Sequence, residues 1–351
     1  MKNTTLMIGC GGSGITTLLR FNEMLAGNAA CRNDIWEGVS YLILDTEVKK
    51  MENFEAEVRN QMSGSKMPII KLAKVTKGFT TLDEIVRPNF DHQPSADKVA
   101  RLKKNWWYSP AADADGKPCA EIPFRAQEIH PIDTGAGQCG LVSYLATWNY
   151  LPTLKQDVED VLNQIKQHNI GKANPLAGLR VYIVTGTAGG TGRGSWNLVS
   201  FTIRQYLKER GVNVMPEGIF FDASCFDSAS KSSPDERLAK SLNSLTAFSE
   251  LSGWMRIRQG RGNFNYRLPN LSNPDLEGET DVIAVPPEAT NPEKSPVSAA
   301  YLIFGSNGSA TLKDNLQYHE MAAAGLYAMV AGDEYVEPSK INRLERLGSF
   351  A

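Results

Sequence analysis

The chain has 351 residues, of which 42% are hydrophobic and 22% charged, and its formal net charge is −2. This composition is typical of a globular protein with one large or two ordinary domains, and the near-zero charge argues against nucleic-acid binding. No apolar run approaches the roughly 20 residues of a membrane span, and no secretory leader pattern is present, so we expect a cytoplasmic protein. The five cysteines form no Cys-x-x-Cys pair and the four histidines lack ligand spacing, so we expect no disulfide framework or metal site built by the protein.

The chain begins with a short apolar strand that runs into glycines. Residues 4–8 are followed by Gly-Cys-Gly-Gly-Ser-Gly at 9–14 and by a helical pattern over 15–25. Glycines at this position let the backbone approach a phosphate at a helix N-terminus. A second apolar strand, 41–44, ends at Asp45, and an acidic residue there can bind a ribose. Taken alone, this beginning predicts a dinucleotide site.

A longer glycine-rich stretch, Thr-Gly-Thr-Ala-Gly-Gly-Thr-Gly-Arg-Gly-Ser, occupies residues 185–195 between an apolar strand at 181–184 and a helix at 196–210. A Walker A loop needs a lysine before Ser195, and none is present. We therefore predict that this loop binds phosphate through backbone N–H groups and hydroxyls. A further glycine-rich turn, residues 132–140, precedes an apolar helix at 141–148 in the same way, and a second helix is predicted over about 151–167.

The alternation of strands and helices predicts an α/β fold: a three-layer, Rossmann-like, mostly parallel sheet with helices on both faces. The loops that follow parallel strands meet at the carboxyl edge of the sheet, so we expect the three glycine-rich loops to converge there. Two long segments, about 51–131 and 254–298, are predicted to be insertions. Residues 1–335 then form one nucleotide-binding domain, and 336–351 begin a C-terminal extension or a truncated second domain.

A helix start is predicted after Ser233. Serine there is a good N-cap, proline follows at the first helical position, and Glu236 completes a capping box three residues on. Glu236 is therefore either a structural cap or a member of the nucleotide site.

Taken in order, these segments resemble the tubulin/FtsZ superfamily, in its divergent bacterial tubulin-like form. The matching segments are IGCGGSG at 8–14, LDTE at 44–47, GAGQCG at 135–140 and GGTGRGS at 189–195, with a strand that ends in Asn307 before a long helix. The resemblance implies a tubulin-type GTPase domain that binds GTP or GDP with Mg²⁺. The nucleotide-binding residues that it implies are Gly11, Gly12, Ser13, Asp45, Thr46, Gly135, Ala136, Gly137, Gln138, Gly189, Gly190, Thr191, Gly192, Glu236, Asn307 and Tyr318.

Two of these residues concern the base. Asn307 matches the family's guanine-reading asparagine, and an amide offers both a donor and an acceptor to the base edge. Tyr318 lies where the family stacks an aromatic ring on guanine, although plain helix packing explains a tyrosine there equally well. The family's polar residue one turn further along is replaced by Ala322, and either Asn315 or Glu320 takes its place, or the register differs.

The resemblance also implies filaments in which an acidic loop of one subunit hydrolyses the GTP of the next. The acidic residues available are Asp333, Glu334 and Glu337, which lack the family's Asn-x-Asp-x-x-Asp pattern. Three functions therefore stay open. The first is a self-assembling GTPase, the second a monomeric GTP-dependent switch or partner-binding module, and the third a Rossmann oxidoreductase with NAD or FAD. The third leaves the loops at 135–140 and 185–195 without a purpose.

Overall fold

The computed structural model describes residues 4–28, 38–62, 68–76, 136, 140–169, 174–227, 233–258, 266–268, 281–283, 295–306, 308, 312 and 315–331. Its elements, in chain order, are β1 (Thr5–Cys10), α1 (Gly11–Gly27), β2 (Val39–Asp45), α2 (Val48–Gln61), β3 (Ile69–Lys74), α3 (Gly140–His168), β4 (Arg180–Gly186), α4 (Gly190–Glu209), β5 (Glu217–Phe221), α5 (Ser224–Asp227), α6 (Pro234–Arg258), β6 (Tyr266–Leu268), β7 (Asp281–Ile283), β8 (Ala299–Ile303) and α7 (Asn315–Ala331).

Six of the strands form one parallel sheet in the order β3-β2-β1-β4-β5-β8. β1 and β2 are buried along their whole length because helices cover both faces of the sheet. The chain builds outward from β1 in one direction through β2 and β3, and in the other through β4, β5 and β8. The strand order therefore reverses between β1 and β4, and a crevice opens at the carboxyl ends of strands at such a switch point.

Two hydrophobic clusters fill the space on either side of the sheet. Successive side chains of a strand point to opposite faces, so in β1 Met7 belongs to one cluster and Ile8 to the other. The cluster with Met7 also contains side chains of α1, α2 and α7, and the cluster with Ile8 contains side chains of α3, α4 and α6. The predicted three-layer α/β fold, with a parallel sheet and helices on both faces, is confirmed.

The helices α1 and α4 begin very close to the ends of β1 and β4. A Cβ on Gly192 would lie 2.5 Å from the carbonyl oxygen of Gly186 and from Oγ1 of Thr185. A Cβ on Gly14 would overlap the carbonyl oxygen of Val184. Glycine at these two positions is what allows both helix N-termini to reach the switch point.

Three boundaries differ from the sequence-based expectation. The segment predicted as an insertion from residue 51 begins with most of α2 and then contributes β3, which pairs with β2. α3 is one helix that continues through Pro152, where a break between two helices was predicted. It continues because Leu151, Leu154 and Val158 keep one buried side on both sides of the proline. α6 extends to Arg258, beyond the predicted start of the second insertion.

In the part of the chain that the structure describes, no helix is long and apolar enough to cross a membrane.

Candidate functional site

A cavity of about 200 Å³ lies at the carboxyl edge of the sheet, where β1 and β4 meet. Its wall contains the first residues of α1 and α4, the end of β2 and the first turn of α2. The residues that line it are Cys10, Gly11, Gly12, Ser13, Asp45, Glu47, Lys50, Ala136, Gly186, Gly189, Gly190, Thr191 and Gly192. Pockets for whole small-molecule ligands measure about 300–1,000 Å³, so this part of the site has room for one end of such a ligand.

Two helix N-termini form the base of the cavity. The N-cap residues are Cys10 for α1 and Gly189 for α4, and neither makes a side-chain capping hydrogen bond. Neither helix has an acidic residue in its first turn. The N–H groups of a first helical turn have no partner within the helix, and the helix dipole places partial positive charge there. Both termini are therefore built to receive an anion rather than to be capped by a side chain.

Two features of Gly11 require glycine at this position. Its φ is +73°, in the left-handed region that favours glycine. A Cβ there would also lie 2.9 Å from the backbone nitrogen of Gly192, across the gap between the two helix N-termini. The two glycine-rich loops thus pack against each other directly, and the N-termini of α1 and α4 face the same cavity.

Asp45 connects the end of β2 to the start of α4. Thr191 Oγ1 donates a hydrogen bond to Asp45 Oδ1 at 2.9 Å, and the backbone N–H of Glu47 donates to the same oxygen at 3.2 Å. The hydroxyls of Thr46 and Thr191 are 2.7 Å apart, and Thr76 Oγ1 donates to the Thr46 carbonyl at 2.8 Å. Burial raises the pKa of Asp45, although its hydrogen bonds and the nearby charge of Lys50 act in the opposite direction.

A second group of hydroxyls fixes α3 against α4. The oxygens of Ser143 and Ser195 lie 2.6 Å apart, and those of Thr147 and Ser195 lie 2.8 Å apart. Ser143 also donates to the carbonyl of Thr191 at 3.0 Å. All four residues are buried. The hydroxyls of the glycine-rich stretch at 185–195 are therefore occupied within the protein, and the surface that this loop offers to a ligand is its backbone.

Most of the predicted binding residues that the structure describes are brought together at this cavity. Those that line it are Gly11, Gly12, Ser13, Asp45, Ala136, Gly189, Gly190, Thr191 and Gly192, and Thr46 lies directly behind them. The predicted residues that lie outside the described residues are Gly135, Gly137, Gln138, Asn307, Asp333, Glu334 and Glu337.

Two predicted residues lie elsewhere. The Ser233 backbone N–H donates to a carboxylate oxygen of Glu236 at 2.9 Å, and the Glu236 N–H donates to Ser233 Oγ at 3.3 Å. These are the two bonds of a capping box, the structural alternative for Glu236. Tyr318 is 1% exposed and its hydroxyl donates to the Leu312 carbonyl at 3.0 Å. Its ring is part of the core beside α1, which is the packing alternative.

Two charged residues of the cavity wall, Glu47 and Lys50, are not among the predicted binding residues, although Glu47 lies in the matching segment 44–47. They face each other across the first turn of α2, with the Lys50 ammonium 2.6 Å from the Glu47 carboxylate. The sequence signal for both residues is the short connection between Asp45 and α2. A helix that begins so soon after a strand keeps its first turn close to the end of that strand. The prediction of an insertion from residue 51 onward concealed this helix.

The fold and the cavity define an α/β protein whose site is formed by glycine-rich loops at the switch point of a parallel sheet. The chain belongs to the tubulin-like family, whose model matches residues 6–346. A comparison with curated proteins found no match.

The chain is also similar to solved structures at low identity. One is a protofilament of TubZ from Bacillus thuringiensis serovar israelensis in its GTPγS form, with 13% identity, a TM-score of 0.38, and coverage of 96% of this chain and 57% of TubZ. A second is the GTPγS-bound protofilament of CetZ2 from Haloferax volcanii, with 11% identity, a TM-score of 0.27, and coverage of 72% and 57%. A third is levodione reductase, with 11% identity, a TM-score of 0.29, and coverage of 88% and 99%. The chain thus spans less than two thirds of the length of the first two.

Proposed function

We propose that the chain binds a guanine nucleotide, GTP or GDP, with the β- and γ-phosphates at the N-termini of α1 and α4. The observation that carries the proposal is the cavity between these two termini, in a chain that belongs to the tubulin-like family. The backbone N–H groups and the dipoles of two helices that begin at this cavity favour a polyanion at this position. Guanine is the base because the family resemblance assigns its recognition to Asn307.

Mg²⁺ fits this site as a companion of the phosphates. Among the described residues, no group of three His, Cys, Asp or Glu side chains could hold a metal ion. Mg²⁺ commonly keeps several waters and binds through substrate phosphates with one or two carboxylates. Asp45 is a carboxylate on the cavity wall that can take this part. An ion held there would offset phosphate charge, and the protein's own share is to hold Asp45 in place through its hydrogen bond from Thr191.

The direct test is to identify the nucleotide and its selectivity. Purified protein is denatured and the released ligand is separated by chromatography, and stripped protein is then titrated with GTP and ATP in a calorimeter. We expect guanine nucleotide in the released fraction and tighter binding of GTP than of ATP. Release of NAD or FAD would support the oxidoreductase alternative, and equal affinity for ATP and GTP would contradict the guanine assignment.

We further propose that the protein hydrolyses GTP and self-associates, with Asp333, Glu334 and Glu337 acting on the nucleotide of a neighbouring subunit. A glycine-rich loop binds phosphate in the ground state and the transition state alike, so by itself it raises affinity more than rate. Specific activity should therefore rise with protein concentration, and the triple alanine variant of the three carboxylates should lose that rise while it still binds GTP.

The monomeric switch is the second candidate, because these carboxylates do not reproduce the family's acidic pattern. Sedimentation with GTP and Mg²⁺ separates the two. A pellet that depends on GTP supports assembly, whereas a monomer with activity independent of concentration supports the switch.

A further inference from the structure

We infer that Lys50 is a phosphate-binding residue of this site and that it exchanges Glu47 for the β- or γ-phosphate when a nucleotide binds. The inference rests on the proposed function and adds a side-chain cation to a site otherwise built from backbone. Neither the glycine-rich loops nor the family resemblance assigns a role to Lys50.

The position of Lys50 carries the inference. Lys50 lines the cavity together with Gly11, Gly12 and Thr191, although it belongs to a different strand–helix unit. Its ammonium lies 3.7 Å from the point that a Cβ on Gly12 would occupy. It therefore lies above the first turn of α1, the place where an anion would contact the backbone N–H groups of that turn.

The charges of the cavity wall explain why a cation at Lys50 would favour phosphate binding. The charged residues among the described lining residues are Asp45, Glu47 and Lys50. Two carboxylates on the wall would repel the phosphates of a nucleotide, and a cation close to them reduces that repulsion. Lys50 is the cation among these lining residues, and its flexible stem lets it reach a ligand from the side of the cavity.

The present partner of Lys50 is easy to replace. The side chains of Lys50 and Glu47 are 52% and 29% exposed, and their ion pair lies within one helical turn. Exposed pairs of this kind contribute little to stability, whereas a charge-assisted bond to phosphate is stronger. A phosphate can therefore replace Glu47 as the partner of the Lys50 ammonium with little loss of free energy. Before the nucleotide binds, Glu47 holds the Lys50 side chain beside the cavity; when it binds, Glu47 competes with the phosphate for the ammonium.

This arrangement reproduces the task of the Walker A lysine with a different geometry. In a P-loop the lysine follows the glycines on the same loop and reaches the β- and γ-phosphates. Here the glycines come from the β1–α1 and β4–α4 units, and the lysine comes from the β2–α2 unit. The absence of lysine before Ser195 is therefore compatible with a cationic contact to the phosphates.

The experiment titrates the stripped full chain with GTP, GDP and GMP by calorimetry, for the parent protein and four variants. Lys50→Ala removes the cation, Lys50→Arg keeps it, and Glu47→Gln removes the competitor. Lys49→Ala is the matched control, because Lys49 is an exposed lysine on the same helix turn and does not line the cavity. Thermal unfolding monitored by circular dichroism checks that each variant is folded.

We expect Lys50→Ala to weaken GTP and GDP binding by about 10- to 100-fold, the loss of one charge-assisted contact. GMP lacks the β- and γ-phosphates, so its affinity should change by less than about twofold for the same variant. Lys50→Arg should retain most of the affinity for GTP, Lys49→Ala should match the parent, and Glu47→Gln should tighten GTP binding by about two- to fivefold.

The outcomes separate this inference from the proposed function. If the parent protein binds GTP and Lys50→Ala binds it as tightly as Lys49→Ala, the role of Lys50 is wrong and the proposed function stands. If Lys50→Ala weakens GMP as much as GTP, the contact is not to the outer phosphates and the inference is overturned. If the parent protein binds no guanine nucleotide, both fail together.

Discussion

Gly14 and Gly192 lie where α1 and α4 meet the end of β4, and Gly192 also lines the cavity. Gly12 and Gly189 line the cavity without touching β4, two or three residues away in the same loops. We call the first pair the contact glycines and the second pair the wall glycines. A Cβ on either contact glycine would collide with backbone, but a Cβ on Gly189 has no heavy atom within 4 Å and one on Gly12 only Lys50. One glycine-rich loop therefore contains residues that the fold requires and residues that leave room for a ligand.

Alanine at a contact glycine should have the largest effect. In Gly192→Ala the new methyl group would lie 2.5 Å from Gly186 O and Thr185 Oγ1, which are held by β4. Overpacking of this kind lowers the free energy of unfolding by about 1–3 kcal/mol or more. Urea unfolding measures the change.

The control is Gly189→Ser, because a Cβ at this position has no heavy atom within 4 Å and serine is favoured at an N-cap. Its free energy of unfolding should change by no more than about 0.5 kcal/mol. Equal losses in Gly192→Ala and Gly189→Ser would remove the distinction between contact and wall glycines.

The next largest effect is expected on nucleotide binding rather than on the stability of the fold. In Gly12→Val the side chain would occupy the space between α1 and Lys50, since Lys50 is the nearest neighbour of its Cβ. Binding of GTP should weaken by more than about 100-fold, equivalent to about 2.7 kcal/mol, while the protein still unfolds cooperatively.

Gly27→Val is the matched control for this variant. It makes the same substitution at the other end of α1, where a Cβ has no heavy atom within 4 Å. Its GTP affinity should equal that of the parent, and a Gly12→Val variant that still binds GTP at parental affinity would contradict the placement of the phosphates.

Asp45 lies on the cavity wall and accepts a hydrogen bond from Thr191, which precedes the contact glycine Gly192. Its contribution to the free energy of unfolding should depend on pH. Burial raises its pKa above the usual 3.8, so the folded chain holds the proton more tightly than the unfolded chain does. Its contribution to stability therefore falls as pH rises above about 4, by about 1.4 kcal/mol for each unit of the shift. Asp45→Asn keeps an oxygen that can accept from Thr191 and removes the charge.

Urea unfolding of Asp45→Asn and the parent at a series of pH values tests this. The variant should be the more stable protein at about pH 7, and its advantage should shrink toward about pH 4. A difference that stays constant over this range would mean that the charge of Asp45 has no part in it.

The smallest effect is expected far from both regions. Glu236→Ala removes one of the two capping-box bonds at the exposed start of α6 and should lower the free energy of unfolding by about 0.5–1 kcal/mol. The affinity for GTP should stay at the parental value. A loss of affinity in calorimetry would return Glu236 to the nucleotide site, the other alternative that its sequence position allows.

The fold could be predicted where its strands are buried on both faces. β1, β2 and β4 are runs of apolar residues that end at glycines or at Asp45, and such runs identify central strands of a parallel sheet. β3 was missed because its sequence, IIKLAK, is interrupted by lysines. Lys71 is paired with Asp157 and Asp160 of α3 at 3.0 and 2.7 Å. The lysine that interrupts the apolar run therefore joins β3 to α3, a contact that only the folded chain reveals.

The candidate site was predictable in its backbone and less so in its side chains. Glycine spacing located both helix N-termini, because the residues that form them are consecutive. Lys50 was missed because a lysine in a first helical turn resembles any solvated charge until the turn is placed beside Gly12. Tyr318 could not be assigned either, because an aromatic ring in an apolar helix suits a stacked base and a core equally well.

The hydroxyl of Thr191 has a single proton, and Asp45 receives it. A phosphate oxygen is an acceptor and needs a proton from its partner. Thr191 can therefore offer a ligand its backbone N–H without cost, but it can offer its hydroxyl only by releasing Asp45. The threonine thus divides its donors: the hydroxyl serves Asp45 inside the protein, and the backbone N–H in the first turn of α4 is left for the ligand.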